Sequence, residues 1–272
     1  MQLRQIGIRA AACAAYVLAT GCAHDARTTE ARPAIRTEAV AASAPVVEKP
    51  ALEAAAAPSR GARHRTYEAA KKYVAGRQAH LSRAYKRAAK SRRHDVFVQA
   101  ERAVYESLVR DLLGFWLRTP WNYNGTTQTP GKGKIACGYF VTTVLRDAGF
   151  KVDRVKLAQQ ASENIIKSLT LPRLIKRYSN TPLKRFIASV KRMGRGVYVV
   201  GLDSHVGFLV NDGRDVWFVH SSSLPPSCVM REKALKSTSL RTSKYRVVGP
   251  ITTDRALLWK WLAGVKIATR TK

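Results

Sequence analysis

Val197–Ser221 reads VYVVGLDSHVGFLVNDGRDVWFVHS, and this stretch decides the fold class. Val197–Leu202, His205–Val210 and Val216–Ser221 are three β-rich runs separated by short polar turns. Asn211-Asp212-Gly213 supplies residue types that tolerate positive φ, the signal of a hairpin. Cys228–Arg231 and Tyr245–Val248 offer two further strands. Upstream the period changes. Phe140, Val141, Val144, Leu145 and Ala148 recur at helical spacing behind Cys137, and Gly149 stops that helix. Phe97, Val104, Leu108, Leu112 and Phe115 form an earlier stripe that Arg118-Thr119-Pro120 ends. Further helices are expected around 155–168 and, opened by Thr181-Pro182, around 182–193. Helices first and an antiparallel meander afterwards predict an α+β fold, with the helix behind Cys137 packed on the sheet.

The remaining chain organises around that region. Tyr67–Arg93 is rich in Ala, Lys and Arg with few large apolar residues, so it should be helical and largely solvated, within a helical extension over 63–118. Residues 23–62 hold fourteen Ala, four Pro and no aromatic residue, too little apolar bulk to offset ordering entropy, so 22–62 is expected to be a disordered tether. At the N-terminus, Arg4 and Arg9 precede a short apolar stretch, Ala10–Ala19, and then Thr20-Gly21-Cys22. A basic start, a short apolar run and small residues describe an export signal. The small-small-Cys ending is similar to a bacterial lipoprotein signal over 1–21, which implies Cys22 as the lipidated residue, a lipid anchor in the membrane and a periplasmic location on the outer membrane. No uninterrupted apolar run reaches the roughly 18 residues that a membrane-spanning helix needs.

The chain of 272 residues carries 48 Lys+Arg against 18 Asp+Glu, a net charge of +30, so polyanions are its natural partners. Export makes an anionic envelope polymer the expected partner and nucleic acid an unexpected one. Of four cysteines, Cys13 leaves with the signal and Cys22 is used by it, so Cys137 and Cys228 remain. In an oxidising compartment these two are able to pair as a disulfide; alternatively one is a nucleophile.

Cys137 lies between a Gly-rich loop and the first turn of a helix, where N–H groups and the helix dipole favour a thiolate and can hold an oxyanion. His205 and His220 lie in adjacent strands of one hairpin, inside apolar runs where a polar ring needs a partner. A thiol, a base and a group that orients the base are what nucleophilic acyl transfer requires. The competing readings are a buried structural cysteine, satisfied core histidines, and zinc held by Cys137, His205, His220 and Cys228, for which no tight ligand spacing exists.

Trp121-Asn122-Tyr123-Asn124-Gly125-Thr126, Cys137-Gly138-Tyr139-Phe140-Val141, His205-Val206-Gly207-Phe208-Leu209-Val210 and Phe218-Val219-His220-Ser221-Ser222 together resemble the NlpC-type cell-wall cysteine peptidases, over about 119–250. Arg154 with Gln159 or Gln160 is similar to the Arg-to-Gln stretch of that family. The resemblance implies a papain-like domain over 119–272, with Cys137 as nucleophile, His205 as base, His220 as the orienting residue and Tyr123 beside the nucleophile near the oxyanion. It departs at Ala136, where the family carries an Asp that helps bind the amine of its substrate, and at Arg195-Gly196. An inserted basic helical segment is expected near 167–195. The expected activity is hydrolysis of an amide bond in peptidoglycan peptides by a monomer that needs no cofactor or metal. Its rivals are the same triad acting on another amide or ester, and a non-catalytic basic lipoprotein that binds the envelope.

Overall fold

Alternation along the central strands explains why they read as nearly unbroken apolar runs: both faces of the sheet are covered. The computed structural model describes residues 64–271, and the expected signal, Cys22 and the tether lie outside the described residues. Six antiparallel strands, β1 (Lys176–Ser179), β2 (Gly196–Leu202), β3 (Val206–Asn211), β4 (Val216–Ser221), β5 (Val229–Lys233) and β6 (Tyr245–Pro250), lie in the order β1-β6-β2-β3-β4-β5. Along β2, Val197 and Val199 enter one apolar cluster while Tyr198, Val200 and Leu202 enter another. The molecule is therefore layered as helices, sheet and a smaller back layer, an α+β arrangement.

The larger cluster lies under the helices. α1 (Tyr67–Arg87) and α2 (Arg93–Glu106) form an antiparallel pair, and α2 continues through a π-helical stretch, Ser107–Leu112, into α3 (Leu113–Trp116). α4 (Cys137–Asp147), α5 (Arg154–Ala158), α6 (Ser162–Leu169) and α9 (Arg255–Ala263) complete that layer. The back layer is built by α7 (Leu183–Arg192) and the short α8 (Thr238–Thr242), with Phe186, Ile187, Val190 and Leu240 buried on the sheet.

Several expectations are corrected. The 67–93 segment is helical and mostly solvated as expected, but one stripe, Tyr67, Ala70, Val74 and Leu81, is buried. Small Ala residues let α1 approach closely, and Gln78 Nε2 donates to the carbonyls of Gly149 and Trp261, both at 2.9 Å. The single helix expected over 155–168 is two helices, the first capped by Asp153, whose Oδ1 accepts from Lys156 N at 3.1 Å. The basic segment 167–195 is not wholly helical, because Lys176–Ser179 pairs with β6 as an edge strand. Lys and Arg are common on such edges, where they discourage pairing with other chains. β6 does not follow β5 outward but returns beside β2. α9 was not anticipated, although Asp254 caps its start and Gly264, at φ +68°, its end.

Candidate active site

The loop 117–136 and α4 set the position of Cys137. Ala136 is the N-cap of α4, and its methyl group accepts no hydrogen bond, so the cap residue leaves the first-turn N–H groups unclaimed. The loop is fastened from two sides and once within itself. Ser221 Oγ donates to Ile135 O at 2.7 Å, Ala136 N donates to Gly125 O at 2.8 Å, and Arg154 Nη2 donates to Thr126 O at 2.6 Å. Arg154 is buried, donates from Nε to Thr143 Oγ1 at 2.7 Å and lies over the Tyr139 ring, 4.9 Å from its centroid. The Arg-to-Gln stretch thus braces α4: Gln159 Nε2 reaches the Tyr139 hydroxyl at 3.5 Å. Gly138 has its own reason, since a Cβ there would fall onto the carbonyl oxygen of Ala158, inside van der Waals contact.

α4 packs on the sheet through Phe140, whose ring meets Phe208 of β3 edge-on at 5.8 Å. Cys137 is a free, partly buried thiol, and so is Cys228; the two are not joined by a disulfide. Burial pushes the Cys137 thiol above its ordinary value, and the N–H groups of Val206, Gly138 and Cys137 itself only partly oppose this. The expected lowering by the helix N-terminus is therefore present but outweighed, and the resting side chain is a neutral thiol.

The two hairpin histidines meet: His205 Nε2 and His220 Nδ1 are 2.8 Å apart. The register accounts for this, because Phe208 pairs with Val219 and one step along brings Gly207 opposite His220. Gly207 has no side chain there; a Cβ would meet the Phe218 ring and His220 Cβ. His220 is fully buried and stacks on Phe218, with centroids 4.0 Å apart and planes 16° apart. Burial and the adjacent His220 lower the pKa of His205, and burial lowers that of His220, against the raising effect of Glu232. Both rings are accordingly neutral near pH 7.

A residue that sequence reasoning missed completes the row. His220 Nε2 lies 3.1 Å from Glu232 Oε1. Glu232 sits on β5 opposite Phe218, diagonal to His220 on the same face. An acid one pleat away from a buried histidine's partner was the available signal.

Not every expected site residue joins this group. Tyr123 is 80% exposed on the loop, and among the described residues no hydrogen bond or ring contact ties it to Cys137. No hydrogen bond joins Cys137 Sγ to His205 among the described residues either. Cys228 lies just before β5, its backbone bridged to Pro120. No group of three His, Cys, Asp or Glu side chains with metal-binding geometry occurs among the described residues. Beside His205 a cleft of about 340 Å³ opens, lined by Asp203, Ser204, Ser223, Leu224, Thr242 and Ser243 among others, and Cys137 does not line it. The Asp203 carboxylate accepts from Lys244 N at 2.8 Å and Tyr245 N at 3.0 Å, and these bonds hold its pKa below the ordinary carboxylate value.

Compared with known proteins, the chain matches no family model, no curated protein and no solved structure.

Proposed function

We propose that this chain is an exported cysteine hydrolase with a papain-like, NlpC-type domain, cleaving an amide bond in peptidoglycan peptides. The observation that carries this reading is the 2.8 Å contact between His205 and His220 of one hairpin, in a fold that also sets a thiol, Cys137, at the start of a helix packed on that sheet. In this reading Cys22 carries the lipid anchor and the chain works on the periplasmic side of the outer membrane. The surplus of basic residues holds the domain on an anionic polymer.

The reaction begins from neutral groups. As Cys137 Sγ attacks the amide carbonyl carbon, its proton passes to His205 Nδ1, the ring nitrogen that does not face His220. The S–H···N bond forms only when substrate is bound, as catalytic contacts of free enzymes commonly complete themselves in the complex. The carbonyl oxygen becomes an oxyanion and accepts from the N–H groups of Cys137 and Gly138, with Tyr123 as the loop residue on that side. The C–N bond then breaks, His205 Nδ1–H protonates the departing amine, and a thioester remains on Cys137. Water attacks the thioester while His205 Nδ1 takes its proton. Collapse releases the carboxylic acid and returns the thiol. His220 holds the plane of His205 throughout.

Full-length protein and Cys137→Ala are incubated in parallel with peptidoglycan sacculi, and released fragments are read by mass spectrometry. New peptide fragments from the native chain alone are expected. Tight binding to sacculi without new fragments would leave the envelope-binding alternative standing and remove the peptidase.

A further inference from the structure

The row of side chains behind the thiol does more than orient one ring. We propose that Glu232 is a positioning residue that sets the tautomers of His220 and His205, so that His205 presents a bare Nδ1 as the base. This proposal rests on the cysteine-hydrolase reading for its purpose, though its physical content is independent of it.

The argument is one of donors and acceptors. A carboxylate can only accept, so the 3.1 Å contact between His220 Nε2 and Glu232 Oε1 requires a hydrogen on Nε2. His220 is fully buried and stacked on Phe218, which favours the neutral ring. A neutral imidazole with hydrogen on Nε2 has a lone pair on Nδ1. The 2.8 Å contact with His205 then needs its hydrogen from His205 Nε2. A neutral His205 with hydrogen on Nε2 is left with a lone pair on Nδ1, which is what a base needs. Each assignment forces the next, and the only fixed point is Glu232.

The reverse order would disable the site. If His220 carried hydrogen on Nδ1, it would donate to His205 Nε2, and His205 would hold its hydrogen on Nδ1. That atom could not then take the thiol proton. During the reaction the proton received at His205 Nδ1 makes an imidazolium whose Nε2–H still donates to His220, so neither remaining hydrogen in the row has to move. Gly207, which leaves room for His220, and Phe218, which stacks on it, hold the second ring in the plane that meets both His205 and Glu232.

Nitrogen-15 NMR of histidine-labelled full-length protein near neutral pH reads the tautomers directly. Protonated Nε2 and bare Nδ1 are expected on both His205 and His220. Glu232→Ala is expected to give mixed tautomers on both rings and, where hydrolysis is measured, a loss of roughly tenfold or more. Glu232→Gln keeps a carbonyl acceptor and is expected to retain the native pattern. Hydrogen on Nδ1 of His205 in the native chain would overturn the proposal, as would a native pattern surviving in Glu232→Ala. Intact tautomers without any fragment from sacculi would instead remove the peptidase and leave the row standing.

Discussion

Ser221 Oγ donates to Ile135 O across 2.7 Å, joining the strand that carries His220 to the loop that delivers Cys137. Both residues are fully buried, so the bond cannot be replaced by water from outside. Ser221→Ala is expected to leave the carbonyl without this donor and to cost about 1–3 kcal/mol of stability. Urea unfolding checks the magnitude; an unchanged midpoint would show that the loop is held by its other fastenings alone.

Gly138 follows the nucleophile because α5 ends against it. Gly138→Ala places a methyl group on the Ala158 carbonyl, and one of the two helices must move. The expected cost is about 1–3 kcal/mol. Helix propensity alone would have predicted a gain of up to about 1 kcal/mol from the same change. The sign of the shift in melting temperature therefore decides between packing and propensity.

The neutral thiol predicts a particular reactivity profile. Iodoacetamide should modify Cys137 at a rate that keeps rising with pH beyond the ordinary thiol range of about 8.5. A plateau already reached near pH 6 would mean a preformed thiolate and would contradict the balance of burial over backbone N–H groups described above. Mass spectrometry of the Cys137 peptide separates it from Cys228, which burial also pushes upward.

Both site histidines have folded-state pKa values below the ordinary 6.5. Above about pH 6.5 they are neutral whether the chain is folded or not, and contribute no penalty. As pH falls below that point the unfolded chain takes up protons that the folded chain refuses, so stability declines. The slope is up to about 1.4 kcal/mol per pH unit for each histidine. Unfolding midpoints compared between about pH 7 and about pH 5 should fall, and less steeply in His220→Asn.

Much of this arrangement was legible from local pattern. β2, β3 and β4 lie within a residue of the apolar runs that suggested them, and the Asn-Asp-Gly turn brings His205 to His220 because hairpin register follows from turn chemistry. α4 begins at Cys137 where a Gly-rich loop gives way to helical periodicity. What escaped depends on pairings between distant segments. β1 is four residues long and half charged, so only its pairing with β6 makes it a strand. Glu232 becomes part of the row through the β4–β5 register, which no single strand encodes. The thiol's upward shift is likewise tertiary: the helix end was readable, the walls that bury it were not.

Trp116 donates from Nε1 to the Tyr67 hydroxyl at 3.0 Å and meets Phe140 edge-on at 6.0 Å, while Tyr67 donates in turn to Asp147 Oδ2 at 2.8 Å. α1 and α3 therefore act as a splint along the back of α4, touching it at both ends. Trimming the chain to begin at residue 119 would strip that splint and bare Phe140 and Asp147 together. The shortest autonomous version reaches back at least to Tyr67, and damage to an outer helix far from the cleft would be felt as a loosened thiol.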